Sequence, residues 1–183
     1  SHPALVKAVK KTGSFTGFAL VMRVALTKMK GGIDISYTNP EYWGAAYFQK
    51  AFPDVRTNIN QVNSAFKSAL SSYGTGKPFG SKKGLAIKEL KKYHYMMGMP
   101  YFEDNVKLGE FSSFEKATRT IEASFSKHAD LGKVYEKSIP SMKIKLYGVG
   151  LKGPDGEAKF MPIIDIGNPK HTAFLPYELL VYD

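Results

Sequence analysis

The chain has 183 residues, 43% of them hydrophobic and 23% charged, an ordinary globular balance long enough for one large domain or a domain with a connecting arm. It carries a net charge of +10 and no cysteine. Disulfides, thiolate zinc sites and thiol catalysis are therefore excluded, and the basic balance points to a polyanionic partner: RNA, DNA or acidic lipid.

Ser1-His2 reads as an expression scar, and no signal-peptide pattern opens the chain. The cysteine-free composition fits a reducing compartment, so a cytoplasmic location is expected. The most apolar stretch, FALVMRVAL (18–26), is interrupted by Arg23 and falls short of a membrane span. Residues 15–26 are rich in β-formers and read as a strand; GGIDISYT (31–38) reads as a second, stopped by Asn39-Pro40. Over 58–73, Ile59, Val62, Phe66, Ala69, Leu70 and Tyr73 recur at three- and four-residue spacing. That predicts a helix with a core-facing stripe, opened by an Asn58/Gln61 variant of the capping box. SSYGTGKPFGSKKG (71–84) is a flexible connection. LAIKELKKYHYMM (85–97) begins as a short helix, with its far boundary open.

Residues 98–120 have no clear period. RTIEASF (119–125) predicts a strand and DLGKVYEKSI (130–139) a short helix. MKIKLY (142–147) alternates Met142, Ile144 and Leu146 against Lys143, Lys145 and Tyr147, which predicts a half-buried strand with a basic outer face. GPDG (153–156) is a turn. FMPIIDI (160–166) predicts an edge strand because of Pro162. The sum is an α+β fold, built around a small barrel.

One motif misleads. Gly148-Val149-Gly150-Leu151-Lys152-Gly153 matches a dinucleotide fingerprint and follows a strand. The required helix does not follow at once, since Pro154-Asp155-Gly156 is turn chemistry, so a glycine-rich hairpin is expected. No nucleophile with base and orienter is apparent, and His2, His94, His128 and His171 lack metal spacing. No catalytic group, metal or cofactor is expected. Binding is better supported. KKYHY (91–95), KVYEK (133–137) and KHTAF (170–174) each set an aromatic beside lysine, the pairing that holds single-stranded RNA by stacking and phosphate neutralisation.

Two stretches carry a family resemblance. In FTGFALVMRVALTKMKGGIDISYT (15–38), with Tyr42-Trp43, the residues Gly17-Phe18, Met22-Arg23 and Ile33-Asp34-Ile35-Ser36 resemble the linker that enters the PAZ domain of eukaryotic Argonaute proteins. In MPIIDIGNPKHTAFLPYELL (161–180), Pro162, Gly167, Phe174, Leu175, Pro176, Glu178 and Leu179 resemble the end of that domain, with a loop closest to fungal members. The resemblance covers about a quarter of the chain. It implies linker strands over 3–44 and a PAZ domain over 45–183: an OB-like barrel with a hairpin/helix appendage. It also implies an RNA-silencing role, holding the 3′ end of a small guide RNA or of a short duplex with a 3′ overhang. The other domains of the parent Argonaute would be partners, no membrane would be, and slicing acids would lie outside this fragment.

Carried over to this chain, the pocket comprises Tyr135, read as helical, with Lys170, Phe174 and Leu175 on the final strand and Phe125 from the appendage. His94, Tyr95 and His171 stand near positions for further donors. Two family histidines align instead with Met96 and Pro140, so the pocket is expected to be short of two phosphate donors. The alternative class is a structural RNA-packaging protein, a viral nucleoprotein or capsid element that binds without regard to ends.

Overall fold

The computed structural model describes residues 1–80, 84–90, 93 and 97–183. The chain is α+β and divides into two compact units. One comprises Ser1–Met22 and Thr38–Lys107, the other Arg23–Tyr37 and Leu108–Asp183.

The described residues of the first unit are helical wherever they are regular: α1 (Pro3–Thr12), a 3-10 stretch over Ser14–Leu20, α2 (Pro40–Phe48), α3 (Phe52–Leu70) and the short α4 (Ile87–Leu90). His2, read as a scar, caps α1: its Nδ1 accepts the Ala4 N–H at 3.1 Å, and Pro3 stands at the first helical position. Asn39-Pro40 repeats the device on α2, where Asn39 Oδ1 accepts the Glu41 N–H at 3.0 Å. The strand expected over 15–26 is therefore split. Its first half is 3-10, with Thr16, Gly17, Ala19 and Leu20 buried, and Phe15 and Phe18 packed on Tyr47.

The helix expected over 58–73 begins six residues earlier, at Phe52, so Asn58 is interior and caps nothing. Ile59 and Val62 are core as expected, but Tyr73, at 73% exposure, is not. The core joins Leu5 and Val9 of α1, Trp43 and Phe48 of α2, and Phe52, Val55, Ile59 and Val62 of α3. A Cβ at Gly44 would stand 2.9 Å from both Ile59 Cγ1 and Phe52 Cε2, so glycine lets α2 and α3 approach.

The second unit holds β1 (Val24–Met29), β2 (Gly32–Tyr37), α5 (Phe114–Lys127), β3 (Leu131–Ile139), β4 (Ile144–Leu151), α6 (Glu157–Ile164) and β5 (Tyr177–Tyr182). β1 and β2 form an antiparallel hairpin; β3, β4 and β5 form an antiparallel sheet in that order. Among the described residues there are two small sheets and no closed barrel, which corrects the barrel expected from the sequence.

Three element types are also corrected. RTIEASF lies within α5, which is capped by Ser113, whose Oγ accepts the Lys116 N–H at 3.1 Å. DLGKVYEKSI is β3, whose bulge between Lys133 and Tyr135 breaks its alternation. The first five residues of FMPIIDI belong to α6, and Asp165-Ile166 follow it. There Pro162 sits inside the helix, and its missing N–H leaves the Ala158 carbonyl without the usual helical donor.

MKIKLY forms β4 from Ile144, with Ile144 and Leu146 buried; Tyr147, expected on the outer face, is buried as well, because Phe125 of α5 packs on it. Its outward Lys145 is covered by α5: Glu122 Oε1 lies 3.0 Å from Lys145, and Glu122 Oε2 lies 2.9 Å from Lys133. Gly148 and Gly150 lie inside β4 and not in a hairpin turn. A helix, α6, does follow the fingerprint-like run. Its first residue, Glu157, turns back to accept the Leu151 N–H at 2.9 and 3.0 Å. A carboxylate thus occupies the region where a bound anion would sit.

Candidate functional site

Tyr135 on β3 faces Gly148 on β4, and Gly148 faces Glu178 on β5. The three form one row across the sheet. A Cβ at Gly148 would stand 2.3 Å from Tyr135 Cε1, so the tyrosine ring lies directly across the glycine. It thereby reaches the far strand, where its hydroxyl donates to Glu178 Oε1 at 2.5 Å. Tyr135 is therefore a strand residue, contrary to the helical placement expected from the sequence.

Arg23 completes the cluster just before β1. Its Nη1 lies 2.7 Å from Glu178 Oε1 and 3.2 Å from the Tyr135 hydroxyl. Its Nε donates to the Ala173 carbonyl at 3.1 Å. Both charged side chains are only 8% exposed. Burial pushes the Glu178 carboxyl above its usual range, while Arg23 and the Tyr135 hydroxyl draw it back. Burial, then the negative charge of Glu178, raises the Tyr135 hydroxyl.

The segment held by Arg23 carries the remaining candidates. Thr172–Phe174 is a 3-10 turn and β5 begins at Tyr177. Phe174 and Leu175 therefore precede the closing strand; the sequence placed them on it. Phe174 is 50% exposed. Upstream, buried Asp165 ties the loop down. Its Oδ2 accepts the His171 backbone N–H at 2.8 Å, its Oδ1 lies 3.1 Å from His171 Nδ1, and its carbonyl accepts from Lys170 Nζ. Burial pushes the Asp165 carboxyl up, but the His171 contacts outweigh it and the group ends below its ordinary value. Lys170, Thr172 and Asp165 join Ala158, Met161 and Pro162 of α6 around a concavity of about 410 Å³. That volume falls within the roughly 300–1,000 Å³ of small-ligand pockets.

The structure thus brings together Lys170 and His171, both bonded to Asp165, and carries Phe174 and Leu175 on the same segment. Tyr135 is linked to that segment through Arg23 and the Ala173 carbonyl. Phe125 is placed otherwise: it packs from α5 onto Tyr147, with ring centroids 5.7 Å apart. His94 and Tyr95, with Met96, lie outside the described residues. Arg23, Glu178 and Asp165 were not picked out as site residues from sequence. The signal was a lone charge inside each apolar run, Arg23 in FALVMRVAL and Glu178 in FLPYELLVY. Unlike charges so placed are buried at low cost only as partners.

Charge is unevenly shared. The helical unit carries 13 Lys/Arg against 5 Asp/Glu, a net of +8, and the α/β unit 13 against 11, a net of +2. In the α/β unit Lys133 and Lys145 are neutralised by Glu122 and Glu136, and Lys143 by Asp183. Comparison of the chain with family models, with curated proteins and with solved structures gave no match.

Proposed function

We propose that the α/β unit is an RNA-binding module that holds the 3′ end of a single strand, in the manner of the PAZ domain of an Argonaute protein. The observation that carries the reading is the concavity walled by Lys170 and Thr172, with half-exposed Phe174 two residues further along. An ammonium for phosphate and a ring for stacking are the minimal kit for a nucleotide end. In this reading Phe174 is the stacking ring and Lys170 and His171 are the polar groups. Leu175 adds apolar contact. Tyr135, its hydroxyl held by Glu178 and Arg23, acts by fixing the segment that carries them. Kinship of the α/β unit with PAZ domains and the role in small-RNA silencing are parts of the same proposal.

The charge of the helical unit favours a second reading, a packaging protein that binds RNA along its length. The test is competition between a linear RNA with a free 3′ hydroxyl and the same sequence circularised, for the wild-type chain and Phe174→Ala. End-holding predicts preference for the linear strand and its loss in the variant. Equal affinity of the wild type for both strands refutes end-holding and supports packaging.

A further inference from the structure

We infer that the helical unit has its own binding surface for the phosphate backbone of single-stranded RNA, formed by α1 and α3. The inference does not rest on the end pocket, which lies wholly in the other unit. α1 buries Ala4, Leu5, Ala8 and Val9, and apart from Pro3 its fully exposed side chains are Lys7, Lys10 and Lys11. Lys10 and Lys11 in the last turn suit the negative end of the helix dipole. Lys7, a full turn earlier, gains little from it. α1 has no acid, and neither Lys7 nor Lys10 makes an ion pair among the described residues. Three like charges at i, i+3 and i+4 repel one another, which costs stability unless an anion is bound.

Lys11 fixes where this face lies. Its Nζ donates to the Asp54 carbonyl at 2.9 Å, which seats the end of α1 against the first turn of α3. The exposed face of α3 presents Thr57, Asn60, Gln61, Ser64, Lys67 and Ser68. Hydroxyls and amides of this kind bond phosphate and sugar oxygens without needing a particular sequence. Asp54 is the one acid on the two helices, against Lys7, Lys10, Lys11, Arg56 and Lys67, of which Arg56 lies 3.3 Å from Glu41 of α2. Three residues past the end of α3, Tyr73 is 73% exposed, and Lys77 follows. An exposed aromatic between lysines favours unpaired bases over a duplex, whose bases are already stacked.

The test is salt-dependent binding of the full chain to a circular single-stranded RNA, which has no end to hold. The triple variant Lys7→Gln/Lys10→Gln/Lys11→Gln should reduce the slope of log K against log salt by about 2, at roughly 0.7 per single-strand phosphate contact. At 0.1 M salt that corresponds to an affinity loss of about a hundredfold. The control triple Lys116→Gln/Lys127→Gln/Lys152→Gln, exposed on the α/β unit, should lose less than about threefold. Tyr73→Ala should weaken the circular strand about tenfold and leave a duplex unchanged.

The surface assignment is overturned if the wild type does not bind the circle, if the α1 triple binds it as the wild type does, or if the control triple loses as much. Equal wild-type affinity for duplex and single strand overturns the single-strand assignment. Failure of the end pocket alone would show differently: linear and circular strands would bind alike while the α1 triple still lost affinity.

Discussion

Gly148→Ala is the smallest change that interrogates the row across the three-stranded sheet. The added methyl would stand 2.3 Å from Tyr135 Cε1 and 2.6 Å from Cδ1 and Cζ. These atoms are the body of the ring, so no rotation of a flexible tip relieves the contact. Either the strand strains, at about 1–3 kcal/mol for overpacking, or the ring leaves. In the second case the charged Glu178 loses the hydrogen bond donated by the Tyr135 hydroxyl, worth about 1.5–3 kcal/mol. Alanine recovers about 0.5–1 kcal/mol of the backbone entropy that glycine costs in a strand. The expected net loss is about 1.5 kcal/mol, or about 3–6 °C in melting temperature for a chain of this size.

The assay is thermal and urea unfolding followed by circular dichroism, with Gly148→Ala placed in the wild type and in Tyr135→Ala. Without the ring the three nearest contacts of the methyl are gone, and the substitution should become neutral or slightly stabilising. A loss of equal size in both backgrounds would refute the claim that Gly148 is there to receive Tyr135.

Two further predictions follow from the charged groups. Arg23→Met leaves Glu178 buried without its cation and should cost about 3–5 kcal/mol, while Arg23→Met/Glu178→Leu should recover most of that in the same unfolding assay; additive losses would deny the coupling. Hydrogen bonds from Lys133 and then Lys145 lower the Glu122 carboxyl from 4.5 to about 2. A depressed folded-state value means that its contribution is complete above pH 4.5 and is lost as pH falls toward 2. The wild type should therefore lose melting temperature more steeply than Glu122→Gln across that window, and parallel curves would show that the Glu122 bridges add nothing.

Legibility from sequence followed the length and regularity of each pattern. The stripe through Ile59 and Val62 revealed α3, and Gly31-Gly32 marked the turn between β1 and β2, because those signals are local. α5 was cut short: its apolar residues Phe114, Ala117, Ile121 and Phe125 keep helical spacing, but a window of seven residues beginning at Arg119 hides the period. β3 misled through its bulge, and α6 through a proline that helices rarely keep inside.

The site was legible as far as single segments go. Lys170, His171 and Phe174 sit on one loop and were marked out by its composition. The partners that hold that loop come from 150 residues upstream, in the case of Arg23 and Ala173, or from opposite edges of the three-stranded sheet, as with Tyr135 and Glu178. A pairing between distant segments leaves only isolated charges in apolar runs as its trace. Gly148 shows the same limit: its place in a fingerprint-like motif said nothing of the ring it accommodates.

The most direct measurement is the ratio of dissociation constants of the wild-type chain for one short RNA in circular and in linear form, at fixed salt. Stacking of a terminal base contributes about 1–3 kcal/mol, so end-holding predicts a ratio of roughly five or more in favour of the linear strand. A ratio of one would contradict it.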